Sequence, residues 1–448
     1  MPWGSNLGDQ HAEGFSGISG RKHEPIAVMT YSHDGYGLGH LRRNSIIAAS
    51  LVRQMPHSSV LMLVGCPVGV FFDLPPGVDF IKVPSIIKVA AGLYEPLGIR
   101  VGVQKTKMLR ASVIATAVEV LQPAILLVDH VPAGVWGELL PMLHTLKSGE
   151  NRPWIVLGIR DIIDSSDYVR ELWHREGTFK TINTYYDEVL IYGCEDVFDA
   201  ASEYGLRDQV QKKITYCGYV CSQRAHQNKS DMRQALGVTK DKLVLVTAGG
   251  GHDGYPMMQA CMDAFRLLGK ELPFDVIFVA GPLMEHGLKK SLRRQGAELN
   301  IRVLSYVHES LGYLEAADLV ITMAGYNSIC EILNFKKRAL VIPREGPRAE
   351  QKMRSRIFAD RGLVDVLYPN GLSSAKLAAR IVANLEQADS RDRNGAIVDT
   401  GGANYVARLL AERTREVAKR KRGGDAVSNG ATDAVRPPLD SIAQADTW

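Results

Sequence analysis

Three centres in this sequence have the residue types and settings that acid–base and ligand chemistry require. His40 follows the glycine-rich run GYGLG (35–39) and opens the helical pattern LRRNSIIAASLV, so its ring is expected where a strand hands the chain to a helix. An imidazole there can take the proton of a hydroxyl at neutral pH. The alternative is a histidine that caps or packs the helix start. Asp129 ends the apolar run AILLVD and should emerge at the same carboxyl edge, where a carboxylate would orient the imidazole and stabilise its protonated form. Its alternative is an aspartate capping its own loop.

The third centre is residues 322–351, TMAGYNSICEILNFKKRALVIPREGPRAEQ. A short apolar strand runs into Gly325, where the missing side chain allows close approach to the backbone. A helix beginning with Tyr326, Asn327 and Ser328 would aim its unpaired amides and dipole at an anion such as a diphosphate. Glu331, about two turns in, can accept two hydrogen bonds at once and so matches the paired hydroxyls of a ribose. A second strand ends at Pro343, and a polar loop closes on Glu350 and Gln351, within reach of a sugar's hydroxyls. The plain alternative is an ordinary αβ unit with a solvated Glu331.

Gly249, Gly250 and Gly251 with His252 make a second glycine loop after a strand, suited to presenting amides to phosphate. Gly37 and Gly39 lie in the first. Gly37, Gly39, Arg42, Arg43, Arg160 and Asp161 are the acceptor-side candidates, the arginines able to bind phosphate or merely to bridge neighbouring acids.

Gly325, Glu331, Pro343 and the Glu350–Gln351 pair resemble the donor-binding motif of family 28 glycosyltransferases, the MurG-like enzymes. The resemblance implies the GT-B fold, a ribose held by Glu331, a sugar contacted by Glu350 and Gln351, and the base contacted through the backbone near Val307. The glycine loop leading to His40 resembles the first loop of the same enzymes. The opening YSHDGYGLGHLRRN and the string GIRDI are similar to an uncharacterised MurG-like subgroup, and the aspartate after a comparable strand resembles plant-type UDP-glycosyltransferases. Two departures stand out: the family often has Gln where this chain has Glu350, and often a serine at Gly251.

Composition agrees with two folded domains. The 448 residues are 46% hydrophobic and 23% charged, so a sizeable core is expected. A net charge of +4 does not call for nucleic acid and leaves an anionic lipid surface open. Six scattered cysteines without a histidine cluster point away from a disulfide framework or zinc site and toward a reducing cytosol. No apolar run reaches the roughly 18–20 residues that span a bilayer. The sequence lacks an Asp-x-Asp metal motif, so charge on a departing diphosphate would fall to amides and helix dipoles, with neither metal nor cofactor expected.

Elements that would position these residues alternate strand with helix from residue 25 onward, which argues for parallel sheets covered by helices. Strands are expected at 26–32, 59–65, 124–130, 154–161 and 188–193, then at 242–251, 274–282, 301–307, 318–323 and 338–343. Ligands of such sheets bind beyond the strands' carboxyl ends. The fold class expected is α/β, two facing Rossmann-like doubly wound domains with an interdomain cleft. The string HDGY recurs at 33–36 and 252–255, one copy in each half. The expected divisions are a disordered lead at 1–24, without the apolar core of a signal peptide, and an acceptor domain at 25–222. A linker at 223–231 and a donor domain at 232–398 follow. A helix at 399–422 returns toward the first domain, and a disordered tail occupies 423–448.

The function expected is an inverting, metal-independent hexosyltransferase moving a hexose or N-acetylhexosamine from a UDP-sugar to an acceptor hydroxyl. The acceptor could be a lipid-linked or cell-envelope glycan precursor, reached from the cytoplasmic face through peripheral membrane contact. Residues 84–102, apolar with Lys88 and Arg100, read as a mobile loop suited to that contact, or as ordinary packing. The alternatives are a UDP-N-acetylglucosamine 2-epimerase, which shares the fold and donor site, and a non-catalytic nucleotide-sugar-binding protein.

Overall fold

The computed structural model describes residues 26–32, 38–67, 74–90, 93–149, 152–222, 228–307, 310–387 and 398–428. The lead, the tail beyond 428 and Gly37 lie outside them, as do most of the expected linker and the first HDGY copy.

Among the described residues, nine strands form in the first half: β1 (Ile26–Tyr31), β2 (Ser58–Val64), β3 (Val78–Lys82), β4 (Ile86–Ala90), β5 (Leu93–Pro96), β6 (Ile125–Asp129), β7 (Trp154–Arg160), β8 (Glu188–Tyr192) and β9 (Lys213–Tyr216). Seven of them make a parallel sheet in the order β3-β2-β1-β6-β7-β8-β9. Six more follow: β10 (Leu243–Thr247), β11 (Asp275–Val279), β12 (Arg302–Leu304), β13 (Leu319–Thr322), β14 (Ala339–Val341) and β15 (Asp365–Val366). They make a second parallel sheet, β12-β11-β10-β13-β14-β15. The order reverses beside β1 and beside β10. At such switch points the loops leaving adjacent strands diverge and leave a crevice, and there lie the His40 helix (Gly39–Gln54) and the Gly249–Gly251 loop.

The central strands are largely apolar because helices cover both faces: all five residues of β6 and of β8 are buried, the charged Asp129 and Glu188 at strand ends included. The expected strands are present, some shortened at their ends, because the strand-end residues turn outward into the loops that carry the candidate site. β3, β9 and β15 escaped the sequence reading. They lie toward sheet edges, where half-exposed positions such as those of β3 blur the apolar pattern.

Residues 84–102 differ from the expected loop. β4 and β5 pair as an antiparallel hairpin, and the helix Val103–Leu121 follows. The β-branched residues at 86, 87 and 89 favour the extended form over a flexible one. A helix, Lys229–Ala235, begins inside the expected linker, its amide at Ser230 capped by the Asn228 side chain. The helix Gly402–Ser428 packs against the first half of the chain: the Gln54 side chain donates to the carbonyl of Asn404 at 3.0 Å, and Arg413 pairs with Glu188 at 3.1 Å. Among the described residues no helix is long and apolar enough to cross a membrane.

Candidate active site

A cleft of about 1000 Å³ opens between the carboxyl edges of the two sheets. From the first domain it is lined by the start of the His40 helix, by Arg160 at the end of β7 and by Ile87 and Tyr94 of the hairpin. Opposite stand the loop Gly249–Gly251 with His252, then Val307, Gly325, Asn327, Ser328, Glu331, Glu350 and Gln351. All the described donor-side candidates thus share one cavity.

His40 and Asp129, 89 residues apart in sequence, meet with Nδ1 2.6 Å from the carboxylate Oδ2. The contact arises because β1 and β6 are adjacent, so the helix after β1 starts beside the end of β6. Asp129 is fully buried, and Arg43 donates from Nη2 to both its oxygens at 2.6 and 2.7 Å. His40 and Arg43 are three residues apart on one helix face, which lets both reach the same carboxylate. The Arg43 guanidinium also lies over the rings of Tyr192 and Tyr326, at 5.3 and 5.4 Å from their centroids.

This packing fixes the protonation pattern. Burial alone would raise the Asp129 carboxyl, but the Arg43 guanidinium and His40 hold it down at about 2. Burial lowers His40 below the ordinary histidine value, against the pull of Asp129 upward. An ionised Asp129 beside a neutral imidazole assigns the shared hydrogen to Nδ1. The other ring nitrogen, Nε2, then carries the lone pair that accepts a proton.

Across the cleft, the Glu331 helix (Tyr326–Asn334) begins after Gly325, and Glu331 sits on its buried side. Arg42 reaches over from the first domain, placing Nη2 2.5 Å from Glu331 Oε1 and donating to Ser310 Oγ at 2.8 Å. Burial raises the Glu331 carboxyl and Arg42 opposes the rise. The Asn327 side chain donates to the carbonyl of Gly39 at 3.1 Å, a further link between domains.

Glu350 and Gln351 occupy the first turn of a helix, Glu350–Asp360, instead of the expected loop. Glu350 lies between two guanidinium groups, with Oε1 accepting from Arg344 at 2.9 Å and Oε2 2.8 Å from Arg160. Although burial would raise it, Arg160 first, with Arg354, Arg344 and Arg348, holds its carboxyl below the ordinary glutamate range. Gln351 accepts the main-chain N–H of Arg344 at 3.1 Å.

The acceptor-side candidates are thereby reassigned. Arg42 and Arg160 serve carboxylates of the donor side, and Arg43 is buried on Asp129. Asp161 does not line the cleft. It is fully buried, accepts from Tyr219 at 2.6 Å and from the main chain of Ile162, and lies 3.9 Å from Arg354. One position separates Arg160 from Asp161, and strand alternation turns their side chains to opposite sides. Arg344, Arg348, Asp253 and Ser310 were missed by the sequence reading. The two arginines stand in plain sight in PREGPRAEQ, but only the fold shows that this segment lines the cleft.

The serine that related loops carry has no room at Gly251. Its φ is +89°, and a Cβ there would lie 2.1 Å from the carbonyl oxygen of Ala280. At Gly251 the loop therefore presents backbone alone to the cleft. Among the described residues, no group of three or more His, Cys, Asp or Glu side chains could hold a metal ion.

Residues 243–400 match the glycosyltransferase family 28 C-terminal domain. Among curated proteins, the UDP-N-acetylglucosamine--N-acetylmuramyl-(pentapeptide) pyrophosphoryl-undecaprenol N-acetylglucosamine transferase of Bacillus cytotoxicus is 23% identical over 227 residues, 50% of this chain and 58% of that protein. The Bacillus subtilis protein of the same name is 26% identical over 177 residues, 38% of this chain and 48% of its own length. The chain spans about half the length of these curated relatives. Similar solved structures include a UDP-glucosyltransferase from Polygonum tinctorium, with TM-score 0.55 and 15% identity over 89% of this chain and 99% of that one. A Listeria monocytogenes protein assigned as a UDP-N-acetylglucosamine 2-epimerase has TM-score 0.55 and 14% identity, covering 88% and 97%. At such identities the likeness speaks to fold alone.

Proposed function

We propose, from a chain with the GT-B fold whose residues 243–400 match the family 28 C-terminal domain and whose curated relatives are MurG-like, that this protein is an inverting glycosyltransferase using a UDP-sugar. The observation that carries the reading is the His40–Asp129 contact of 2.6 Å, set in the wall of a cleft whose other wall holds the family's donor motif.

In this reading the donor's ribose hydroxyls bind Glu331, and its diphosphate lies against the amides of Gly249–Gly251 and the start of the Glu331 helix. His40 Nε2 takes the proton of the acceptor hydroxyl as the acceptor oxygen attacks the anomeric carbon. The bond from that carbon to the phosphate oxygen breaks on the far side, and UDP leaves with the electron pair. Attack opposite the leaving group inverts the anomeric centre. Asp129 keeps the imidazole in the productive tautomer and stabilises the imidazolium that forms. Backbone amides and helix dipoles supply the charge stabilisation for UDP, without a metal.

The acceptor proposed is lipid-linked, by analogy with the printed substrate of the Bacillus relatives. The exposed apolar side chains Val89, Leu93, Leu97, Ile99, Val101, Val103, Met108 and Leu109 run from the hairpin into the next helix, beside the cleft that Ile87 and Tyr94 line. They suit peripheral membrane contact by a protein working from the cytoplasmic side.

The test follows UDP release from UDP-sugars with and without acceptor extracts, for wild type and His40→Ala. Acceptor-dependent release that the substitution abolishes supports the reading. Release without any acceptor would identify an epimerase, and unchanged turnover in His40→Ala would sink the general-base assignment.

A further inference from the structure

The sugar-facing end of the cleft is built from cations. Glu350 was expected to offer its carboxylate to sugar hydroxyls, yet each of its oxygens faces a guanidinium, Arg344 on one side and Arg160 on the other. Gln351 turns its oxygen to the main chain of Arg344. Glu350 Oε1 and the Gln351 oxygen are thus hydrogen-bonded within the protein, while Glu350 Oε2 lies 2.8 Å from Arg160 in an ion pair but makes no hydrogen bond.

Charge points the same way. Arg160, Arg344 and Arg348 line this end, against Glu350 and Asp253, which pairs with Arg344 at 2.7 Å. Arg348 has no ion pair of its own among the described residues, and its charge bears on Tyr94, Arg160 and Glu350. Hydrogen-bond capacity adds an independent observation: the buried Nε atoms of Arg160 and Arg344 have no partner. Buried donors without acceptors are costly, and a ligand oxygen would relieve that cost. The first turn of the helix Glu350–Asp360 adds its positive end to the same region.

We infer that the sugar transferred carries a carboxylate, as in a UDP-uronic acid, bound at Arg348 with Arg160 and Arg344. Guanidinium groups match a carboxylate in both charge and planar hydrogen-bond geometry. A neutral hexose would leave Arg348 unmatched. The inference rests on the proposed sugar-transfer reading, which the same experiment tests separately.

Calorimetric titration of the full chain with UDP, UDP-glucose and UDP-glucuronate, for wild type and Arg348→Ala, decides it. Wild type should bind UDP-glucuronate about tenfold or more tightly than UDP-glucose, a charge-assisted difference. Arg348→Ala should remove most of that gap while leaving UDP affinity unchanged. Arg348 is partly exposed at a loop position, so the variant should fold, and thermal melting checks that it does. Equal binding of the two sugars, or a gap that persists in Arg348→Ala, overturns the carboxylate inference alone. Failure of all three ligands to bind removes the sugar-transfer reading and the inference with it.

Discussion

Arg42 of the first domain and Glu331 of the second meet across the cleft, with 2.5 Å between Nη2 and Oε1. The carboxylate proposed for the donor's ribose therefore already holds a cation of the protein's own. On the proposed reading, a ribose bound at that oxygen competes with Arg42, so apparent affinity carries the cost of breaking this contact. Arg42→Ala should tighten UDP binding by about two- to fivefold, the scale of a partly exposed ion pair. Calorimetry with UDP checks this, and weaker binding in the variant would contradict the competition.

A second expectation concerns pH. The base must be unprotonated, so kcat/KM should rise with pH through the His40 pKa. Burial places that pKa below the ordinary value, so the acid limb should lie below pH ~6.5. Asp129→Asn deletes the charge that raises His40, moving the limb to still lower pH while the plateau falls by about 10²–10⁴-fold. A limb that moves upward would contradict the pairing.

Stability should follow the same carboxylate. Asp129→Ala strands the buried Arg43 guanidinium and should cost about 3–5 kcal/mol, read as a large fall in the denaturation midpoint. With its folded pKa at about 2, below the ordinary ~3.9, Asp129 contributes stability above pH ~4 that is lost as pH falls toward 2. The variant's acid-unfolding curve should lack that component.

Two neighbouring glycines should respond differently to serine. At Gly250 a new Cβ meets nothing nearer than Leu283 Cδ1 at 3.5 Å, so Gly250→Ser should fold with a near-normal melting temperature. Gly251→Ser must push against the Ala280 carbonyl at positive φ and should lose about 1–3 kcal/mol together with UDP binding. Equal melting temperatures would show that the loop relaxes.

Membrane contact is testable at the hairpin. Leu93 is 53% exposed and Met108 59% exposed, so Leu93→Asp with Met108→Asp should reduce co-sedimentation with anionic vesicles without lowering thermal stability. No sedimentation of wild type would count against a membrane-borne acceptor.

Much of this was legible from local signals. Apolar runs gave the central strands because both sheet faces are covered, and the spacing from Gly325 to Gln351 marked the donor segment. The adjacency of His40 and Asp129 was readable as two residues at one sheet edge, yet their contact depended on β1 lying next to β6. Arginine partners were not legible. Arg42 and Arg160 find their carboxylates on the opposite domain, over separations of nearly 200 residues or more that no local pattern encodes. Asp161 illustrates the reverse error: strand-edge position suggested chemistry, and one step of alternation buried it under Tyr219.

The two chain crossings between the sheets lie against each other. Val220 bridges Gly401, the main chain of Tyr219 donates to Asp399 at 2.7 Å, and Gly402 donates back to Tyr219 at 3.1 Å. Outbound and returning segments thus form one axle, with the terminal helix clamped to the first domain beyond it. Any opening of the cleft should therefore pivot at these contacts, with widening least there and greatest at the far rim. The arginine–carboxylate pairs that span the cleft, Arg42–Glu331 and Arg160–Glu350, should act as clasps against such opening.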